Sequence, residues 1–297
     1  MSSLGARIRA WRPAPPPLPP ELADQVSPSD PEWFARELAI AASPPWWFWR
    51  FMLRWFGWLP GIFGRLEVTG SVPEEWLDGP LILAPNHIGD YDTFVIAVAL
   101  AKVGVTPRFL AAGGIINAPV VGPALERCGG VRVERGTDVA AHALRVTEVA
   151  LAHGGHVVAY VEGRVGLAPD AWPELGRSGI ARMALAADVP VIPVSQWGAH
   201  EVLQYANDWG KLRTMLRALV SRPLLRVLVG PPVDLEDLDV DRVGDAHRAR
   251  LRIAAAITRG LVPLRAGEMD RPHFVDPTRP TTAVAAFPGG VVPDDVG

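Results

Sequence analysis

From about Leu66 to Leu261, short apolar runs alternate with longer stretches whose apolar positions recur at helical spacing. Leu81–Ala84 is an apolar run closed by Pro85 and predicts a buried strand. Thr93–Val105 is apolar and helix-length. Arg108–Ala111 and Val131–Val133 are strand candidates, with a short helix from about Pro119 to Arg127 between them. Val139–Ala152 reads as an amphipathic helix stopped by Gly154-Gly155. His156–Val161 is the clearest strand, Ile180–Ala187 a helix, Val189–Val194 another buried strand. Leu224–Val229 and Arg248–Leu261 add a strand and a late helix. This alternation predicts an α/β domain whose sheet is largely parallel or mixed and flanked by helices.

The flanks follow other rules. Residues 1–30 contain Pro13-Ala14-Pro15-Pro16-Pro17-Leu18-Pro19-Pro20, which favours extended polyproline geometry and predicts a disordered lead. Residues 31–64 hold Trp46, Trp47, Trp49, Trp55 and Trp58, interrupted by Arg50 and Arg54. Those arginines are four apart and share one face of a helix. The segment is too short and too charged to span a bilayer, which takes ~20 apolar residues. Trp and Phe beside an arginine stripe predict an amphipathic helix lying on a membrane surface; packing on the protein's own core is the alternative. Residues 65–266 form the expected α/β domain, and 267–297, rich in proline, glycine and aspartate, an expected disordered tail.

Composition narrows this further. A net charge of −3 provides no global positive field, so nucleic acid is not an expected partner. Cys128 is the single cysteine, which excludes an internal disulfide and a multi-cysteine metal cage. Its apolar surroundings mark it as a small packed residue rather than a nucleophile. His153 and His156 lack the further ligands that a metal site needs, and no metal is expected. The basic N-terminus is not followed by the apolar stretch of a signal peptide, so the expected location is the cytoplasmic face of a membrane.

Among seven histidines, only His87 stands at the end of a strand with a carboxylate close behind it. Asp90 and Asp92 are both able to orient it. A residue five positions on lies across a helix, so pairing with Asp92 requires a turn, for which Gly89 supplies conformational freedom. A hydroxyl is a poor nucleophile near neutral pH; an imidazole can take its proton, and a carboxylate fixes the imidazole's tautomer.

Asn86-His87 with Asp92 resembles the NHxxxxD motif of the glycerolipid acyltransferase family, which includes 1-acylglycerol-3-phosphate and glycerol-3-phosphate acyltransferases. Three segments then follow in the family's order. Gly129-Gly130-Val131-Arg132-Val133-Glu134-Arg135 resembles the second block, Tyr160-Val161-Glu162-Gly163-Arg164 the third (FPEGTR), and Val189-Pro190-Val191-Ile192-Pro193-Val194 the fourth. The third block departs from pattern: Val161 replaces proline, and Arg164 directly follows Gly163, as in an EGR variant.

The resemblance implies direct acyl transfer, with His87 as general base and Asp92 as its partner. It implies that Arg135 and Arg164 bind an acceptor phosphate, with Arg177 a further candidate for that anionic pocket. Gly163 would let the backbone approach the ligand, and Glu162 would orient a hydroxyl or hold an arginine. The implied substrates are an acyl thioester donor, acyl-coenzyme A or acyl carrier protein, and a lysophospholipid acceptor, with no permanently bound cofactor. The oligomeric state is left open. Two rival readings keep the same fold: another lyso-lipid or a glycolipid as acceptor, and a non-catalytic membrane-binding protein.

Overall fold

The structure, a computed structural model, describes residues 16–27, 29–30, 32–55, 57–112, 116, 121–133, 137–168, 170–205, 207–278, 287 and 291–293. Among them a seven-stranded sheet forms the centre. Its strands are β1 (Arg65–Gly70), β2 (Leu81–Pro85), β3 (Pro107–Ala112), β4 (Val131–Val133), β5 (His156–Val158), β6 (Val191–Trp197) and β7 (Leu224–Val229). They lie in the order β1-β7-β6-β2-β5-β3-β4. All neighbours are parallel except β6 and β7, so the sheet is mixed. The helices are α1 (Pro20–Ala23), α2 (Glu32–Ala42), α3 (Trp47–Trp55), α4 (Pro60–Phe63), α5 (Asp92–Lys102), α6 (Val121–Arg127), α7 (Thr137–Ala152), α8 (Gly179–Ala187), α9 (Asp208–Ser221) and α10 (Asp245–Leu264).

Strands β2 and β6 are buried along their whole length because helices cover both faces, as expected for the middle of an α/β sheet. Pleating splits their side chains between two cores. Ile82 and Ala84 of β2 face a core shared with α2, α7, α8 and α10. Leu81 and Leu83 face a second core, closed by α5 and by Leu53 of α3. The alternation of β7 and the exposed edge strand β1 show the sheet thinning towards that end.

Several elements differ from their sequence patterns. The strand expected over His156–Val161 ends at Val158, although Ala159 and Val161 still donate to Leu83 and Pro85 of β2. The sixth strand begins later than Val189 and runs to Trp197, and the last helix runs beyond Arg248–Leu261 at both ends. Strand β1 and helix α9 had no counterpart in the pattern. β1 offers only Leu66 and Val68 to a core, and Gly210 and Thr214 weaken the helical signal of α9. The part of the expected helix before Val121 lies outside the described residues.

Neither expected tail is uniformly detached from the domain. Leu22, within the proline-rich lead, is buried with Phe34 and Leu38. Beyond 267, Glu268 accepts from Trp197 Nε1 and the His273 N–H, and Asp276 accepts from the Tyr205 N–H. Long-range polar contacts hold this stretch where local periodicity is absent. No helix among the described residues is long and apolar enough to cross a membrane.

Candidate active site

Strand β2 delivers Asn86 and His87 to the carboxyl end of the sheet, where α/β folds place their clefts. Asn86 is fully buried and continues the ladder with its side chain. Its Nδ2 donates to the Gln196 carbonyl at 3.0 Å, and its Oδ1 accepts the Gln196 N–H at 2.8 Å. The chain then turns and enters α5 at Asp92. His87 Nδ1 stands 2.9 Å from Asp92 Oδ2. The same oxygen accepts the N–H groups of Ile88 at 2.6 Å and Gly89 at 2.9 Å. The carboxylate is fully buried and sits in the first turn of α5, where the helix dipole favours an anion.

A carboxylate has no hydrogen to give, so His87 Nδ1 is the donor in this contact, and in the neutral ring the acceptor lone pair then lies on Nε2. Asp90 takes no part in this contact: its Oδ2 accepts from Lys211 Nζ at 2.6 Å, on the surface. Gly89 acts differently from the expectation. It is not among the glycines of positive φ. A Cβ there would lie 3.2 Å from the His200 Cα, so the position keeps the turn close against the chain after β6.

The segment after β5 closes over the histidine. Tyr160 stacks on the His87 ring with centroids 4.0 Å apart and planes at 19°. Burial, reinforced by Asp92 and Glu162, pushes the Tyr160 phenol well above its ordinary value, so it stays neutral. Glu162 Oε2 accepts the His87 N–H at 2.8 Å, and the Gly166 N–H donates to the His87 carbonyl at 2.7 Å. Burial also raises the Glu162 carboxyl well above the usual range, against the lowering effect of the His87 N–H. Glu162 thus fixes the backbone of His87, with no arginine bound to it among the described contacts.

The arginines are less convergent than expected. Arg164 Nη2 reaches both oxygens of Glu174, at 3.1 and 3.3 Å. Glu174 also accepts the Leu167 N–H at 2.8 Å, so this ion pair stitches the loop. The Arg177 N–H donates to the Val161 carbonyl, while its side chain is exposed and makes no ion pair among the described residues. Arg135 lies outside the described residues. Gly163 has φ +67° and open space where a Cβ would stand, so a ligand can approach its backbone. Sequence reasoning did not single out Tyr160 as a ring partner, Gln196 as a brace or Glu174 as a counter-ion. Tyr160 lay inside the quoted third block; Gln196 and Glu174 carry no local signal.

The arrangement offers a partly exposed imidazole, its side chain 17% accessible, with one nitrogen fixed by a buried carboxylate and the other free to accept a proton. That is the equipment for deprotonating a hydroxyl.

The family model named Acyltransferase matches residues 65–197. This interval contains β1 to β6 with His87, Asp92, Tyr160, Glu162, Arg164 and Arg177. Among solved structures, the chain is similar to the 1-acyl-sn-glycerophosphate (LPA) acyltransferase PlsC from Thermotoga maritima. The TM-score is 0.55 at 20% identity, over 73% of this chain and 81% of that one. At that identity the likeness is one of fold. No curated protein sequence matches.

Proposed function

Since residues 65–197 match the Acyltransferase family model, we propose that the protein moves a fatty acyl group from acyl-coenzyme A or acyl carrier protein to a lysophospholipid hydroxyl. The acceptor is of the 1-acylglycerol-3-phosphate kind, and the reaction belongs to phospholipid synthesis. The contact of His87 Nδ1 with Asp92 Oδ2 at 2.9 Å carries this reading. His87 Nε2 takes the acceptor's hydroxyl proton as that oxygen attacks the thioester carbon. Asp92 steadies the imidazolium. Collapse of the tetrahedral intermediate breaks the carbon–sulfur bond, and the imidazolium returns the proton to the leaving thiolate. No resident cofactor is needed, since the donor is itself a substrate.

Location at a membrane surface is part of the proposal, supported by α3. Trp47 and Trp55 are about two-thirds exposed while Leu53 on the opposite side is buried. Arg50 and Arg54 flank the exposed rings, the arrangement of an interfacial helix. Purified protein supplied with labelled acyl-coenzyme A and a panel of lyso-lipids should form product. His87→Ala should lower kcat by at least about 100-fold while leaving the melting temperature unchanged. Retained turnover in that variant would end the general-base assignment.

The Arg164–Glu174 pair favours one alternative, an acceptor without a phosphate, because Arg164 is already neutralised. Arg164→Ala separates the two. A rise in KM confined to phosphate-bearing acceptors supports a phosphate contact, and an unchanged KM favours another lyso-lipid or a glycolipid.

A further inference from the structure

Helix α9 buries little of itself. Of its fourteen residues, Thr214 and Ala218 are the buried ones. Trp209, Leu212, Leu216, Leu219 and Val220 are all exposed, Trp209 at 79% and Val220 at 87%. At 3.6 residues per turn these five fall within an arc of about 100°, roughly opposite Thr214 and Ala218. The apolar stripe therefore points outward, the reverse of an ordinary surface helix. Its charge is as unusual as its polarity. Residues 208–222 carry Lys211, Arg213, Arg217 and Arg222 against Asp208, in a chain whose net charge is −3.

The stripe does not stop at the helix. Arg222 Nη2 donates to the Gly61 carbonyl at 2.7 Å, tying the end of α9 to α4, the short helix that follows the Trp-rich one. Between them lies an open cleft of about 770 Å³, with Trp58, Ile62 and Leu219 supplying apolar wall. Arg65, Lys102 and Arg222 supply charge, and the lining contains no carboxylate. Arg65 and Lys102 form no ion pair among the described residues. At the other end of α9, Lys211 holds Asp90 in the turn that carries His87. Phe94, two residues beyond Asp92, is exposed at 61%. Exposed apolar side chains thus run from the Trp-rich segment past the cleft and along α9, with the catalytic turn at its start.

We propose that α9 and the cationic cleft form a second bilayer contact. The apolar stripe enters an anionic phospholipid leaflet, and the cleft takes a lipid phosphate. Cations beside an outward apolar face match that surface in both respects, the apolar side chains to the acyl region and the charges to the anionic headgroups. The proposal rests on the membrane-surface reading above but places the contact on an element outside the family match. It also explains how an acceptor held in the leaflet reaches His87 without leaving it.

The full chain is to be sedimented with vesicles of phosphatidylcholine alone and of equimolar phosphatidylcholine and phosphatidylglycerol. Wild type should prefer the anionic vesicles. Leu216→Glu with Leu219→Glu, both at exposed positions, should keep the melting temperature and weaken anionic-vesicle binding about tenfold or more. Lys102→Glu with Arg213→Glu should weaken binding to anionic vesicles about tenfold and change binding to neutral ones little. Wild-type binding by the leucine double variant overturns the proposal, including the case where Trp47→Ser with Trp55→Ser alone abolishes binding. A lipid-free dimer that the leucine variant converts to monomer also overturns it, since a second copy then covers the stripe. Turnover of a water-soluble, short-chain lyso-acceptor should be the same in wild type and the leucine variant. If wild type lacks that turnover while vesicle binding still depends on Leu216 and Leu219, the docking surface stands and the acyltransfer reading fails.

Discussion

One oxygen of Asp92 receives three hydrogens, from His87 Nδ1 and from the N–H groups of Ile88 and Gly89. The two backbone donors set the carboxylate before the histidine meets it, so the imidazole is oriented rather than merely neighboured. Asparagine in place of Asp92 removes the charge and can present an N–H₂ to Nδ1, which selects the wrong tautomer. Asp92→Asn should therefore lower kcat by roughly 10²- to 10⁴-fold with KM little changed. Asp90→Asn breaks a surface pair with Lys211 and should alter kcat by less than about twofold. Steady-state kinetics on both variants, with equal losses as the contrary result, decides which aspartate serves His87.

At the scale of elements, α2 reaches the sheet through two buried ionisable side chains. Arg108 of β3 donates to the carbonyls of Ile40, Ala41 and Ser43, satisfying orphan acceptors at the end of the helix. Burial lowers this guanidinium to about 10. On the same helix, Glu37 accepts the Arg132 N–H of β4 at 3.4 Å, and burial, the dominant influence, raises its carboxyl from 4.5 to about 7. The folded protein therefore keeps a proton that the unfolded chain releases. Its contribution to stability is complete below pH 4.5 and is lost as pH rises through about 7. A shift of this size corresponds to about 3 kcal/mol across that window. Glu37→Gln should flatten the decline in unfolding free energy between those limits, measured by urea denaturation at several pH values. An identical decline in the variant would show that another group causes it.

For the molecule as a whole, a single sheet divides two cores, and the C-terminal stretch locks onto one end of it. Arg265 is fully buried between Trp172 and Trp197, its guanidinium carbon 3.9 and 4.2 Å from the ring centroids. It donates to the carbonyls of Asp170 and Glu268, joining the loop after β5 to the stretch after α10. Removing residues from 267 onward takes away the Glu268 carbonyl that Arg265 needs and the carboxylates that hold Trp197 and Tyr205. The truncated protein should lose about 3 kcal/mol or more of stability in chemical denaturation, as expected when a buried charge loses partners. Unchanged stability would make the contacts beyond 267 passive.

The sequence by itself determined the strands and helices whose apolar runs are long or sharply bounded, such as β2 before Pro85 and α7 before Gly154-Gly155. It also pointed to the His87–Asp92 pair through the resemblance of Asn86-His87 with Asp92 to the NHxxxxD motif, whereas the residues alone left Asp90 open until the structure joined His87 to Asp92. Only the tertiary structure decided which groups surround that pair. Glu162 is 75 positions from His87 and meets its backbone because β5 lies beside β2. Arg164 lies ten positions from Glu174, yet their pairing depends on how the intervening loop folds back. The outward turn of the α9 stripe and the seat of Arg265 between two tryptophans were equally hidden in the chain. Periodicity tells which residues share a face. Which way that face points depends on strand order and on contacts between residues remote in sequence.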